Sequence, residues 1–215
     1  MLVLNYILTA LGAYLLGSVP FGFLAAKAKG MDIRTAGSGN IGATNAMRVL
    51  GKPAGIGVLL LDVLKGYAAV AWLCAAMLKM FTPASADAET LRIIAGIGAV
   101  LGHNYTCWLK FKGGKGIATT TGVYLALAPW AVLIALVVFI LAGLLTKYVS
   151  VGSIAAAIAL PAAVWILAPQ NLFLGIVTTA LGALAIYKHK SNLQRLIAGT
   201  ENRFGRKTST TKTPK

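Results

Sequence analysis

The sequence predicts an all-α, polytopic integral membrane protein of about seven transmembrane helices, with its N-terminus outside and its C-terminus cytoplasmic. Three observations point there. The 215-residue chain is 58% hydrophobic and only 12% charged, with a mean hydropathy of +0.78, which is not a soluble composition. Its apolar runs approach or exceed the roughly 20 residues of a spanning helix. Its net charge of +15 sits in short loops and the C-terminal tail rather than along a folded face. That distribution suits membrane topology and argues against a nucleic-acid partner.

Taken in order, residues 2 to 26 carry no charge and can span once. They lack the basic n-region of a signal peptide, so they read as a retained first helix. Residues 54 to 78 form a second run, interrupted only by Asp62 and Lys65. FTPASADAET (81 to 90) is a short polar turn, and residues 93 to 109 make a third span containing His103. After KFKGGKG, residues 117 to 146 are apolar around Pro129, and the runs 149 to 168 and 171 to 187 are divided by APQN. The polar tail begins at Lys188. Small-residue spacings at Gly98/Gly102 and Gly51/Gly55 suit close helix packing.

Orientation follows from Lys and Arg in the loops. Lys27, Lys29, Arg34, Arg48 and Lys52 follow the first run, Lys110, Lys112 and Lys115 follow the third, and the tail is basic from Lys188 to Lys215. These regions are expected inside. The 81 to 90 turn, where Lys79 and Arg92 are balanced by Asp87 and Glu89, is expected outside. One helix over 117 to 146 would send the basic tail outside. A break at Pro129 keeps it inside, at the cost of a short first piece that needs bilayer thinning or burial against neighbours. Residues 1–190 then form the membrane domain and 191–215 a cytoplasmic tail with a disordered basic end, KTSTTKTPK.

Three loops of unusual composition thus share one face: GSGNIGATNAMRVLG (37 to 51), GHNYTCWLKFKGGKG (102 to 116) and HKSNLQRLIAGTE (189 to 201). Gly113, Gly114 and Gly116 allow backbone N–H groups to approach an anion, and Lys115 adds a point charge. A helix starting at Ile117 would add its N-terminal dipole. The loop is not a Walker A motif, because Gly116 rather than Ser or Thr follows Lys115. Arg48 is a forked donor suited to phosphate, and Ser38, Asn40, Thr44 and Asn45 are short polar groups on a Gly-permitted backbone. They are also ordinary turn residues. Asp62 and Lys65, three apart, either neutralise each other or orient the polar cluster.

His103 and His189, the two histidines, have no carboxylate constellation for a metal, and Cys74 and Cys107 are too few for a cluster. No metal and no cofactor is expected. His189, Asn192 and Glu201 suit acyl or phosphoryl transfer, and equally suit capping and loop bracing. Neither a GxSxG elbow nor an HxxxxD pair is present.

The three segments together, with LLLDVLKG after the first, resemble the cytoplasmic motifs of the bacterial acyl-phosphate:glycerol-3-phosphate acyltransferases, the PlsY family. The resemblance spans almost the whole chain. It implies a multi-pass enzyme of the bacterial inner membrane with its active site at the cytoplasmic face. The implied partners are glycerol 3-phosphate, acyl phosphate and membrane lipids; a monomer is compatible with it. The implied reaction moves an acyl group from acyl phosphate to the sn-1 hydroxyl of glycerol 3-phosphate, releasing lysophosphatidic acid and phosphate. Ser38 and Arg48 match the first motif's functional residues, Lys115 with its glycines the glycerol-phosphate loop, and His189 and Asn192 the third motif's pair. Glu201 matches an acidic residue of structural type, and Ser153 a further polar site residue. Asp62 and Lys65 are expected to support the site, with His103 at the substrate.

Rival readings fare worse. A transporter would place paired ionisable residues at mid-bilayer and recurring helix breaks in two halves. A nucleotide-dependent membrane transferase would need an Asp-rich metal motif that five scattered acidic residues cannot supply.

Overall fold

Proline and glycine decide where this apolar chain bends. The computed structural model describes residues 2–81 and 88–203, and among them no strand forms. Helix α1 (Leu2–Ser18) stops before Pro20 and α2 (Phe21–Lys27) restarts beyond it. The run expected to span once over 2 to 26 is therefore interrupted at Pro20, because proline cannot donate and biases the residue before it toward extended backbone, but it stays one apolar segment, Val3–Lys27. The freed carbonyls find donors from elsewhere in the chain. Thr106 Oγ1 donates to Ser18 O at 2.6 Å and Lys65 Nζ to Val19 O at 2.9 Å.

A 3₁₀ turn (Ile33–Thr35) leads to α3 (Ala43–Leu50), and Gly51, at φ +96°, turns the chain into α4 (Lys52–Ala68). Helix α4 runs through a π turn (Ala69–Leu73) into α5 (Cys74–Phe81). Helix α6 (Ala88–Asn104) begins and ends about a turn before the expected 93 to 109 span, whose last residues form a separate 3₁₀ turn (Cys107–Leu109). The 117 to 146 run divides as expected into α7 (Ile117–Leu127) and α8 (Pro129–Thr146), with Pro129 in the first turn of α8. Helices α9 (Val149–Leu167) and α10 (Leu172–Lys188) follow, and Asn171 Oδ1 caps α10 by accepting from Leu174 N at 2.9 Å. Helix α11 (Lys190–Ile197) crosses the boundary drawn at 190/191, so the first part of the expected tail is folded against the body. Most of the 81 to 90 turn and all of KTSTTKTPK lie outside the described residues.

Small residues bring the helices into backbone contact. A Cβ on Gly102 of α6 would fall 2.1 Å from Tyr14 O of α1, and one on Gly98 2.6 Å from Ala10 O. A Cβ on Gly55 of α4 would meet Met47 Cβ of α3 at 2.4 Å, and one on Gly122 of α7 would lie 1.9 Å from Val63 O of α4. Both expected small-residue pairs thus supply a close-packing glycine. The outer surface is apolar: Leu145, Ile166 and Trp130 are 83%, 76% and 72% exposed, a surface suited to lipid rather than water. Val3–Lys27, Lys52–Met80, Pro129–Thr146 and Val149–Leu167 are long and apolar enough to cross a membrane. Helices α10 and α11, bent by 51°, make a fifth if read as one span.

Candidate active site

Short helices and turns at one end of the bundle enclose a polar cavity. Its walls include Ser38, Asn40, Thr44 and Arg48 from the first loop and α3, Asp62 from α4, and His103 from α6. Lys115 and Gly116 close another side, with Ser150 and Ser153 from α9 and His189, Asn192, Arg195 and Glu201 from the α10–α11 end. All three motif loops therefore meet in one place, although residues that touch there, such as Lys115 and Asn192, lie 77 apart in the chain.

The first loop is held from within. Asn45 is buried and donates through Nδ2 to the carbonyls of Ala36 (3.0 Å) and Asn40 (2.9 Å), while its Oδ1 accepts from Ser38 N at 2.8 Å. It does not line the cavity. Its role is to shape the loop that presents Ser38, and Gly37, at φ +60°, sits so close that a Cβ would lie 2.3 Å from Asn45 Oδ1. Asn40 Oδ1 accepts from Gly42 N at 2.8 Å before α3. Thr44 and Arg48, four apart on α3, then project from one face into the cavity.

The glycine–lysine loop works differently from its sequence expectation. The N–H groups of Gly113 and Gly114 do not await an anion; they donate to the carbonyls of Asn104 (3.2 Å) and His103 (2.9 Å). A Cβ on Gly114 would lie 2.1 Å from His103 Nε2, so this glycine is required by packing. Gly116 alone of the three lines the cavity, and α7 starts at Ile117, the expected position. Lys115 donates to Asn192 Oδ1. Burial, then the nearby Arg195 and Arg48 cations, pull the Lys115 pKa down to about 8 against the opposing pull of Glu201.

Glu201 ties the C-terminal segment together. Its Oε1 accepts from Asn192 Nδ2 at 2.8 Å and Ser150 Oγ at 3.0 Å, and its Oε2 from Arg195 Nε at 2.7 Å. Burial alone would raise its pKa; these donors outweigh that and hold it below the ordinary range. His189 Nδ1 faces Ala185 O at 2.8 Å, and because a carbonyl only accepts, Nδ1 carries the proton and Nε2 keeps a lone pair. Burial, opposed by that bond and reinforced by Lys115, pushes its pKa down to about 4, so the ring is neutral at pH 7.

Below the cavity, Lys65 Nζ lies 2.7 Å from Asp62 Oδ1 and 3.0 Å from His103 Nδ1, all three groups being buried. Asp62 and His103 reach the cavity; Lys65 stands behind them and bonds the α1–α2 break. Ser153 lines the cavity while its Oγ donates to Val149 O at 2.9 Å. The sequence reading passed over Arg195 and Ser150. Spacing could have found both: Arg195 continues the His189, Asn192 face at intervals of three, and Ser150 stands three before Ser153. Among the described residues, no group of three His, Cys, Asp or Glu side chains is placed to hold a metal ion.

Against the polar cavity lies an apolar groove between α4, α7, α8, α9 and α10. The two share Leu59, Ile117, Ala118 and Phe139, and the groove continues along Val132, Leu136, Leu160, Leu181 and Ala185. A cationic chamber opening into a hydrocarbon-lined one suits a molecule with an anionic head and an apolar chain.

The glycerol-3-phosphate acyltransferase family profile matches residues 7–199. The chain belongs to that family. Curated glycerol-3-phosphate acyltransferases from Geobacter metallireducens and Geotalea daltonii are 52% and 46% identical to it. They cover 92% and 93% of this chain and 97% and 98% of their own. Among solved structures, the glycerol 3-phosphate form of PlsY (YgiH), an integral membrane glycerol 3-phosphate acyltransferase, superposes with a TM-score of 0.83 at 39% identity. It covers 93% of this chain and 96% of that one. The lysophosphatidic acid form gives 0.78 at 40% identity, covering 93% and 95%. The chain is accordingly an all-helical, multi-pass integral membrane glycerol-3-phosphate acyltransferase of the PlsY type.

Proposed function

We propose that this acyltransferase uses acyl phosphate as donor and acylates the sn-1 hydroxyl of glycerol 3-phosphate, giving lysophosphatidic acid and inorganic phosphate. The observation that carries this is the shared wall of Leu59, Ile117, Ala118 and Phe139 between the cationic cavity and the apolar groove. The acyl chain lies in the groove, its phosphate and the glycerol phosphate lie in the cavity, and the carbonyl carbon sits where the two meet.

In the reaction the sn-1 oxygen attacks the acyl carbonyl carbon, the carbonyl carbon–phosphate oxygen bond breaks, and the phosphate leaves with its bonding pair. The hydroxyl proton passes to a phosphate oxygen of a bound substrate. A mixed anhydride has a good leaving group, so positioning and charge stabilisation supply most of the catalysis. Arg48 and Lys115 hold phosphates; Ser38, Thr44, Asn40, Ser153 and His103 present hydrogen-bonding groups to donor and acceptor. His189 and Asn192 position them, and Glu201 holds Asn192 in place. Asp62 and Lys65 fix His103. Gly116 gives the chain close approach beside Lys115.

The basic loops support seven spans with an outside N-terminus and this site facing the cytoplasm of a bacterium. Within that topology α7, at 11 residues about 16 Å long, crosses only with its neighbours' cover. The test is purified protein in detergent, given glycerol 3-phosphate with palmitoyl phosphate or palmitoyl-CoA, followed by positional analysis of the product. Acylation from the phosphate donor at the 1-position is expected. Activity only with the thioester, or phosphate release without acylated product, would sink the proposal.

A further inference from the structure

One strong cation of the cavity has no part in the reaction as set out above. Arg195 stands one turn beyond Asn192 on α11 and lines the cavity with its side chain 31% exposed. Its Nε donates to Glu201 Oε2 at 2.7 Å. A guanidinium carries five N–H donors in a rigid fork. Committing the Nε–H to a carboxylate that is itself held by Asn192 and Ser150 fixes the plane of that fork. Among the described residues, no acceptor takes the Nη groups.

We propose that Arg195 is a third phosphate ligand of this site, gripping the phosphate of one substrate through its Nη edge while Glu201 fixes its direction. The proposal rests on the acyl-transfer reading above. Two phosphate-bearing substrates held together bring more negative charge than Arg48 and Lys115 can match. Glu201 neutralises only one of the three cations on the cavity wall. Lys115 faces Arg195 and Arg48 across the cavity, and its pKa is lowered first by burial and then by these two cations; a bound anion relieves that repulsion. The chain Lys115–Asn192–Glu201–Arg195 is continuous, so a phosphate on Arg195 shares a wall with one on Lys115. A bidentate Nη edge matches two phosphate oxygens.

The probe is inorganic phosphate, a product of the reaction, titrated calorimetrically into the substrate-free protein in detergent. Arg195→Gln keeps an amide donor for Glu201 but loses the charge and fork. It is expected to weaken phosphate binding about tenfold or more, with an unchanged melting temperature. Arg195→Lys, a point charge without the fork, should fall between the variant and the wild type. Steady-state kinetics then separate the two sources. A comparable rise in KM for glycerol 3-phosphate alone assigns Arg195 to the acceptor, and a rise for palmitoyl phosphate alone to the donor. Phosphate affinity and both KM values at wild-type levels in Arg195→Gln, with only kcat or melting temperature reduced, would make Arg195 a brace and overturn the proposal. If Arg195→Gln does not fold, the same comparison with Arg195→Lys decides. Phosphate binding that depends on Arg195 in a wild-type protein inert toward palmitoyl phosphate would sink the donor assignment and leave the phosphate ligand standing.

Discussion

Lys115 shows how one residue can carry both charge and pH dependence. Its ammonium pKa is about 8 because burial and two neighbouring cations disfavour the charged form. It is protonated below that value and loses its charge as pH rises through it. kcat/KM for the phosphate-bearing substrates is therefore expected to fall above about pH 8, and Lys115→Arg should move that limb to higher pH. A pH–rate profile of the two proteins checks it. His189 makes the opposite test on the acid side. With a pKa of about 4 it is already neutral at pH 5. If a substrate phosphate, with a second pKa of about 6, accepts the proton, the acid limb should lie near 6 and survive in His189→Ala. A limb near 4 in the wild type, with a loss of about 10⁴-fold on His189→Ala, would make His189 the general base instead. Arg48→Ala is expected to lower kcat/KM about 10- to 100-fold through the lost charge-assisted bonds, with Arg48→Lys recovering part; initial rates at subsaturating glycerol 3-phosphate measure this.

At the scale of elements, the site depends on helices too short to be stable alone, α3 and α11, each eight residues. Asn45 stiffens the approach to α3 and Glu201 docks α11 on α9. Glu201→Ala would leave Asn192 Nδ2 and Arg195 Nε without their acceptor. It should cost about 1–3 kcal/mol in thermal unfolding, with activity reduced by more than tenfold as Asn192 loses its orientation. Wild-type melting and turnover in this variant would show that α11 is held by other contacts. The glycine–lysine loop makes a second element-scale case. Gly114→Ala places a methyl 2.1 Å from His103 Nε2, which is fixed by Lys65, so the loop must shift. The expected result is a raised KM for glycerol 3-phosphate with a modest drop in melting temperature. The sequence made these glycines legible as necessary. Their reason was not, since an N–H open to an anion and an N–H bonded to His103 O read identically in a string of letters.

For the whole molecule, the membrane does the sorting that a water-filled surround does elsewhere. Apolar side chains cover the outside, polar loops gather at one end, and an apolar groove leads from that end between the helices. The proposed seven-span topology makes a direct prediction in a background lacking Cys74 and Cys107. Gln170→Cys, in the exposed α9–α10 link, should react with a membrane-impermeant maleimide added to spheroplasts. Ser209→Cys should react only after lysis. Labelling of both from one side would require a different number of crossings.

Composition, apolar run lengths and Pro129 were enough by themselves to determine an all-helical membrane chain and the division of 117 to 146 into α7 and α8, because burial of apolar area and the missing proline N–H are local properties. The three polar loops also announced themselves, as glycine-rich, basic segments between greasy runs that the charge pattern puts on one side. Only the tertiary structure decided which of those residues face a common space. The break at Pro20 is local in cause, but the donors that satisfy the carbonyls beside it, Lys65 of α4 and Thr106 before the Cys107–Leu109 turn, come from far along the chain. Asn45, Gly113 and Gly114 turned inward to brace loops, while Arg195 and Ser150 turned toward the cavity. Spacing places Arg195 on the His189 and Asn192 face, but whether such a face meets the other loops depends on partners distant in sequence, such as Ser150 for Glu201.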